Sequence, residues 1–176
     1  MSKLTVFAAF TSLLLISLSS CSFTSKSRPS NNNNISSLDL ILQAEGKADA
    51  KGRAVLATGR MMTLEDKLIL PGSCWDYANE VFNRSGFPNS RSKRKTVFKS
   101  IKRGPYADVS LIKPGDFLYY VNHSYGGVEH SAIFVSWINY VTKQALMLSY
   151  GGERRKDPAR YLPYDLSNVY HITRAI

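Results

Sequence analysis

The chain has 176 residues, with 23 Lys+Arg against 13 Asp+Glu and a formal net charge of +10. That is the length of one domain with extensions, and two cysteines, Cys21 and Cys74, are too few for a disulfide scaffold or a four-thiolate zinc site. An apolar content of 44% excludes wholesale disorder, and the single long apolar run, at the N-terminus, excludes a polytopic membrane protein.

Lys3 precedes an apolar run from Leu4 to Leu18, the charge-then-apolar order of an export signal. The run ends in Leu18-Ser19-Ser20-Cys21, which resembles a bacterial lipobox: aliphatic at −3, small at −2 and −1, then cysteine. The resemblance implies a signal peptide over 1–20, cleavage before Cys21, and a lipid anchor (thioether-linked lipid, palmitate) on Cys21. Ser22 in place of Asp at the next position implies the outer membrane, facing the periplasm of a bacterial envelope. An ordinary signal peptide with an incidental cysteine is the competing reading. Removal of 1–20 takes away only Lys3, so 22 Lys+Arg face 13 Asp+Glu, +9, on the exported part. An anionic membrane or wall polymer is then the expected partner, and nucleic acid is not.

Residues 22–37 (SFTSKSRPSNNNNISS) are rich in Ser and Asn and cannot bury enough surface to offset chain entropy. They read as a flexible tether. The expected organisation is signal peptide 1–20, lipidated cysteine and tether 21–52, and one folded domain 53–176. Within the tether, 37–50 has the pattern of a short helix. Residues 53–68 have mixed helical spacing, weakened by Gly59.

After the Pro71-Gly72-Ser73 turn, Cys74, Tyr77, Ala78, Val81 and Phe82 fall on one helical face, with Ser73 as N-cap. Gly86 and Pro88 end that helix. Residues 91–103 hold seven cations in 13 positions, and Val97, Phe98 and Ile101 predict a basic helix. That run reads either as a solvated face or as an attraction to anionic membrane and acidic peptides. From Lys113-Pro114-Gly115-Asp116 onward the pattern becomes strand-like: 117–121, 131–138, 145–150 and 169–173, with 151–165 as polar loop. Helices followed by antiparallel strands predict an α+β domain.

With Cys21 lipidated, Cys74 has no partner in an oxidising compartment. A buried structural thiol is one reading. The other is a nucleophile, because a helix N-terminus favours the thiolate and a thiolate needs a nearby base. Of three histidines, His123 reads as a solvated loop residue and His171 as structural. His130, opening the 131–138 strand, is the candidate base.

The order Gly72-Ser73-Cys74-Trp75, then Leu111-Ile112-Lys113-Pro114-Gly115-Asp116-Phe117-Leu118-Tyr119-Tyr120, then His130-Ser131-Ala132-Ile133-Phe134-Val135, resembles the NlpC-type and CHAP-type cell-wall cysteine peptidases and amidases, a papain-like superfamily. The resemblance covers about residues 72–152. It implies a papain-like fold, Cys74 as nucleophile, His130 as its acid–base partner, and a third polar residue orienting the histidine from the next strand. That position falls on Ser149, where the family usually has His, Asn, Gln or a carboxylate; Glu129 or a backbone carbonyl is the alternative orienter. Tyr119 and Tyr120 are candidate cleft residues or packing. The implied substrate is a peptidoglycan stem peptide cut at an amide bond by a monomer without metal or cofactor. A catalytically weak lipoprotein that binds wall fragments or an envelope partner, and an acyl- or lipid-directed thiol enzyme, are the other classes.

Overall fold

The computed structural model describes residues 36–176. The expected signal peptide, Cys21 and the tether through residue 35 lie outside the described residues. Helix α1 (Ser37–Lys47) starts at a capping box: the Ser36 hydroxyl accepts from the Asp39 N–H at 3.1 Å, and the Asp39 carboxylate accepts from the Ser36 N–H at 3.2 Å. Asp49 caps helix α2 (Ala50–Arg60) by accepting from the Lys51 and Gly52 N–H groups. The two helices form a hairpin. Arg60 pairs with Glu45 at 2.8 Å, and Arg53 donates to the Glu45 and Ala48 carbonyls at the end of α1.

Ile41, Ala44 and Ala48 are buried against the same core as Val55 and Leu56. The folded domain therefore starts near Ser36, and the boundary expected at residue 53 is corrected. The reason is physical: a narrow apolar stripe on α1 is enough once α2 supplies charged partners for its end. Gly59 also acquires a purpose. A Cβ there would sit 2.5 Å from Leu148 Cδ2, so glycine lets α2 lie close on the sheet. The chain leaves α2 through a π-turn, Met61–Glu65, and enters helix α3 (Cys74–Arg84).

Six strands follow: β1 (Arg94–Lys99), β2 (Phe117–Asn122), β3 (Val128–Asn139), β4 (Gln144–Ser149), β5 (Arg160–Asp165) and β6 (Val169–Ala175). They form one antiparallel sheet in the order β1-β6-β2-β3-β4-β5. The class is α+β, with three α-helices and a six-stranded antiparallel sheet among the described residues. One sheet face carries the helices, through Phe117, Ile133, Val135 and Leu148. The other covers a second core built on Leu118, Tyr120, Phe134, Met147 and Ile172. No helix among the described residues is long and apolar enough to cross a membrane.

Two local expectations are corrected. The basic run is an edge strand, β1, not a helix. Thr96-Val97-Phe98 is β-prone, and pairing with β6 outweighs the helical spacing of its apolar residues. Exposed Lys95 and Lys99 discourage further pairing at that edge. Arg94 is buried instead. Its guanidinium donates to Asn79 Oδ1 at 2.8 Å, Asn83 Oδ1 at 2.9 Å and the Phe87 carbonyl at 2.7 Å, bolting β1 to α3. The segment expected as loop over 151–165 contains β5. Its Pro163 argues against a central strand, and β5 is indeed an edge strand, paired only with β4.

The Lys113-Pro114-Gly115-Asp116 turn is a structural clamp. Asp116 is fully buried and takes a bidentate pair from Arg174 at 2.7 Å on each oxygen, plus the Lys113 N–H at 2.7 Å. Burial pushes the Asp116 carboxyl up, against the pull of the Arg174 guanidinium and the Lys113 N–H. Gly115 lies against α2: with φ at +90° and a would-be Cβ 2.6 Å from Gly52 Cα, no side chain fits. This clamp sets where β2, and therefore β3, begins.

Candidate active site

Cys74 is the first residue of α3. Its place follows from the helix period: Tyr77, Ala78, Val81 and Phe82 are buried on the face that carries Cys74, so the thiol points toward the sheet. The preceding turn is held tightly. Ser73 donates from both N–H and hydroxyl to Asp76 Oδ2, each at 2.7 Å. Gly72 has φ of +102°, and a Cβ there would lie 2.4 Å from the Asp76 carboxylate, so only glycine fits. The Gly72 carbonyl accepts from the Glu153 N–H at 2.9 Å, and Tyr150 donates to the Leu70 carbonyl at 2.7 Å. The end of β4 and the turn before Cys74 are thus tied together.

Cys74 is half-buried. The hydrogen bond to Sγ comes from the Ser131 hydroxyl, at 3.3 Å, while His130 lines the same cleft and bears on the sulfur through its charge. Burial by itself pushes the thiol up. The neighbouring His130 ring and the Ser131 donor outweigh it and bring the pKa from 9.0 to about 7. The first N–H groups of α3 have no intrahelical acceptor, so the Cys74 amide is available to a developing oxyanion.

His130 Nε2 lies 2.8 Å from Ser149 Oγ, and Ser149 Oγ lies 3.0 Å from the Tyr164 hydroxyl. With Nε2 engaged, Nδ1 is the ring nitrogen without a hydrogen-bond partner among the described residues. The three residues come from adjacent strands β3, β4 and β5 and share the sheet face away from the helices. Tyr120, opposite His130 in register, meets the imidazole edge-on with centroids 5.6 Å apart. Its hydroxyl is buried and has no hydrogen-bond partner among the described residues. Burial raises its pKa far above the ordinary tyrosine value and keeps it neutral.

The structure therefore brings Cys74, His130 and Ser149 together at one cleft of about 530 Å³. The cleft runs from Cys74 past His130 toward β5 and the loop after β4. Glu129 lines it, but its carboxylate accepts from the Tyr170 hydroxyl at 3.1 Å, and His130 is held by Ser149. Tyr119 and Tyr120 do not line it. Tyr119 accepts from Trp75 Nε1 at 2.6 Å and stacks on His171 with centroids 4.6 Å apart. His171 is thereby part of an aromatic stack. His123 bonds Asn168 on the loop beyond β2. Sequence reasoning missed Ser131 and Tyr164. Ser131 was legible only as a small residue beside the histidine, and Tyr164 lay beyond a proline in a stretch that read as loop. Among the described residues no group of His, Cys, Asp and Glu is placed to hold a metal.

The chain matches no protein-family profile, no curated protein and no solved structure.

Proposed function

We propose that this protein is a cysteine hydrolase of papain-like, NlpC/CHAP-type design that cleaves amide bonds of peptidoglycan stem peptides. The observation that carries the reading is the thiol of Cys74: at a helix start, in a cleft, drawn to about 7 beside a histidine whose far nitrogen is held by Ser149. In this mechanism the Cys74 thiolate attacks the amide carbonyl, forming a C–S bond. The Cys74 N–H at the start of α3 holds the oxyanion. His130 gives its Nδ1 proton to the leaving nitrogen as the C–N bond breaks, leaving a thioester. Water, deprotonated by His130, then splits the thioester and restores the thiol. Ser149 accepts from Nε2 and fixes the ring through both steps, with Tyr164 holding the serine.

The peptide substrate and the envelope location come from the motif resemblance and from the lipobox-like Leu18-Ser19-Ser20-Cys21. On that reading a lipid on Cys21 anchors the domain at the membrane. Radiolabelled palmitate incorporated by the wild type and lost in Cys21→Ala tests the anchor. The purified protein incubated with a wall digest should release new muropeptide fragments, read by mass spectrometry, and Cys74→Ser should abolish release. Equal release by the variant refutes the nucleophile assignment.

A second reading, a catalytically weak wall-fragment binder, is favoured by one observation: the orienting group is a neutral hydroxyl, which stabilises an imidazolium less than a carboxylate does. Ser149→Asn discriminates. A rise in turnover from a low baseline marks a weakened hydrolase, whereas no turnover in either form supports a binder.

A further inference from the structure

Three arginines line the cleft, and they do different work. Arg155 is committed: its Nη2 donates to the Tyr125 hydroxyl at 2.9 Å and its guanidinium lies over that ring at 5.6 Å, joining the loop after β4 to the loop after β2. Arg154 and Arg160 have no hydrogen-bond or ion-pair partner among the described residues. Arg160 is placed by the sheet. It stands opposite Ser149 in the β4–β5 register, and opposed residues point to the same face. Arg160, Leu162 and Tyr164 alternate along β5 and all three line the cleft. The exposed Arg160 side chain therefore leaves β5 on the His130–Ser149 side, and it also borders a second, shallower cleft with Thr63, Lys67 and Asp157. Glu129 and Glu153 line the cleft as well, but neither makes an ion pair with Arg154 or Arg160, and the Glu129 carboxylate accepts from the Tyr170 hydroxyl at 3.1 Å.

In the proposed hydrolysis the leaving amine must sit at His130, which protonates it. The cleft continues from His130 to β5 and gives the half of the substrate beyond that nitrogen room on that side. A guanidinium fork waiting there matches a carboxylate, which it can hold by two parallel hydrogen bonds. We propose that Arg160, assisted by Arg154, binds a carboxylate on the amine half of the substrate, so that the protein acts on amides whose leaving amine carries an acidic group. This inference rests on the hydrolase reading for the direction of the substrate, but not for the existence of the anion site.

The test uses full-length protein and muropeptides from a wall digest in two preparations, untreated and with carboxylates converted to carboxamides by carbodiimide and ammonia. Turnover is followed by mass spectrometry. Binding to the Cys74→Ala variant is followed by calorimetry. The wild type should cleave the untreated preparation at least tenfold faster than the amidated one. Arg160→Gln should lower kcat/KM on the untreated preparation about tenfold, mainly through KM, and lose the preference; Arg160→Lys should keep part of it. An unchanged alkylation rate at Cys74 shows that Arg160→Gln is folded. In calorimetry, Cys74→Ala should prefer the untreated preparation and lose that preference when Arg160→Gln is added. If the wild type cleaves neither preparation while binding still depends on carboxylates and Arg160, the hydrolase reading fails and the anion site stands. Equal binding of both preparations, binding of neither, or a wild-type preference retained in Arg160→Gln overturns the proposal.

Discussion

Removal of the Ser131 hydroxyl probes how the thiol of Cys74 is activated. In Ser131→Ala the donor at 3.3 Å from Sγ is lost while the burial and His130 remain. Hydrogen bonds to charged groups contribute about 1.5–3 kcal/mol, and a long bond to sulfur belongs below that range, at about 1 kcal/mol. One pKa unit corresponds to about 1.4 kcal/mol, so the apparent value should rise by about 0.7 units, from about 7 toward 7.7. At pH 7 the thiolate fraction then falls from about one half to about one sixth, and iodoacetamide labelling should slow roughly threefold. At pH 10 both forms are thiolate and the rates should converge. The assay is the pH profile of alkylation, followed by intact-protein mass. The profile belongs to the coupled Cys74–His130 pair, so the inflection is an apparent one. An inflection unmoved by the substitution, or a rate difference that persists at pH 10, would refute the assignment of Ser131 as a thiolate donor.

Three other outcomes are expected. The folded value of Cys74 is depressed, so its contribution to stability is full above the unfolded value near 9, declines as pH falls toward 7, and is absent below; after discounting for partial exposure, urea unfolding should show wild type gaining about 1–2 kcal/mol over Cys74→Ser between pH 6.5 and 9.5, and a pH-independent difference would count against it. Tyr120→Phe removes a buried hydroxyl without a partner and should stabilise the protein by about 1 kcal/mol, with Tm up by about 3 °C; a loss of that size would show that the hydroxyl is satisfied. Asp116→Ala strands Arg174 and should cost about 3–5 kcal/mol, lowering Tm by roughly 10–20 °C in calorimetry, with part recovered by Arg174→Met in the same chain. A loss under about 1 kcal/mol would show that the Asp116–Arg174 pair does not clamp the fold.

Some of this protein was legible in its residues alone. The stripe Cys74, Tyr77, Ala78, Val81 and Phe82 needs only the 3.6-residue period to become α3 with the thiol at its buried start. The apolar runs of β2, β3 and β4, bounded by turn residues, needed only the two-residue period. Because local period and turn chemistry are properties of neighbouring residues, those elements and the order Cys74, His130, Ser149 could be read along the chain. Edge strands could not. β1 reads as a helix by spacing and β5 as a loop because of Pro163, and each is a strand only because β6 or β4 offers it hydrogen bonds. Long-range packing likewise decided that the folded domain reaches back to Ser36, that Asp116 clamps Arg174 across 58 residues, and that Ser131 reaches the thiol from 57 residues away. It also set Tyr164 behind Ser149 and Arg160 beside it. The residue types of a site and their order can be written in a sequence, but which groups touch is fixed by strand register, and register is an agreement between segments that no single segment contains.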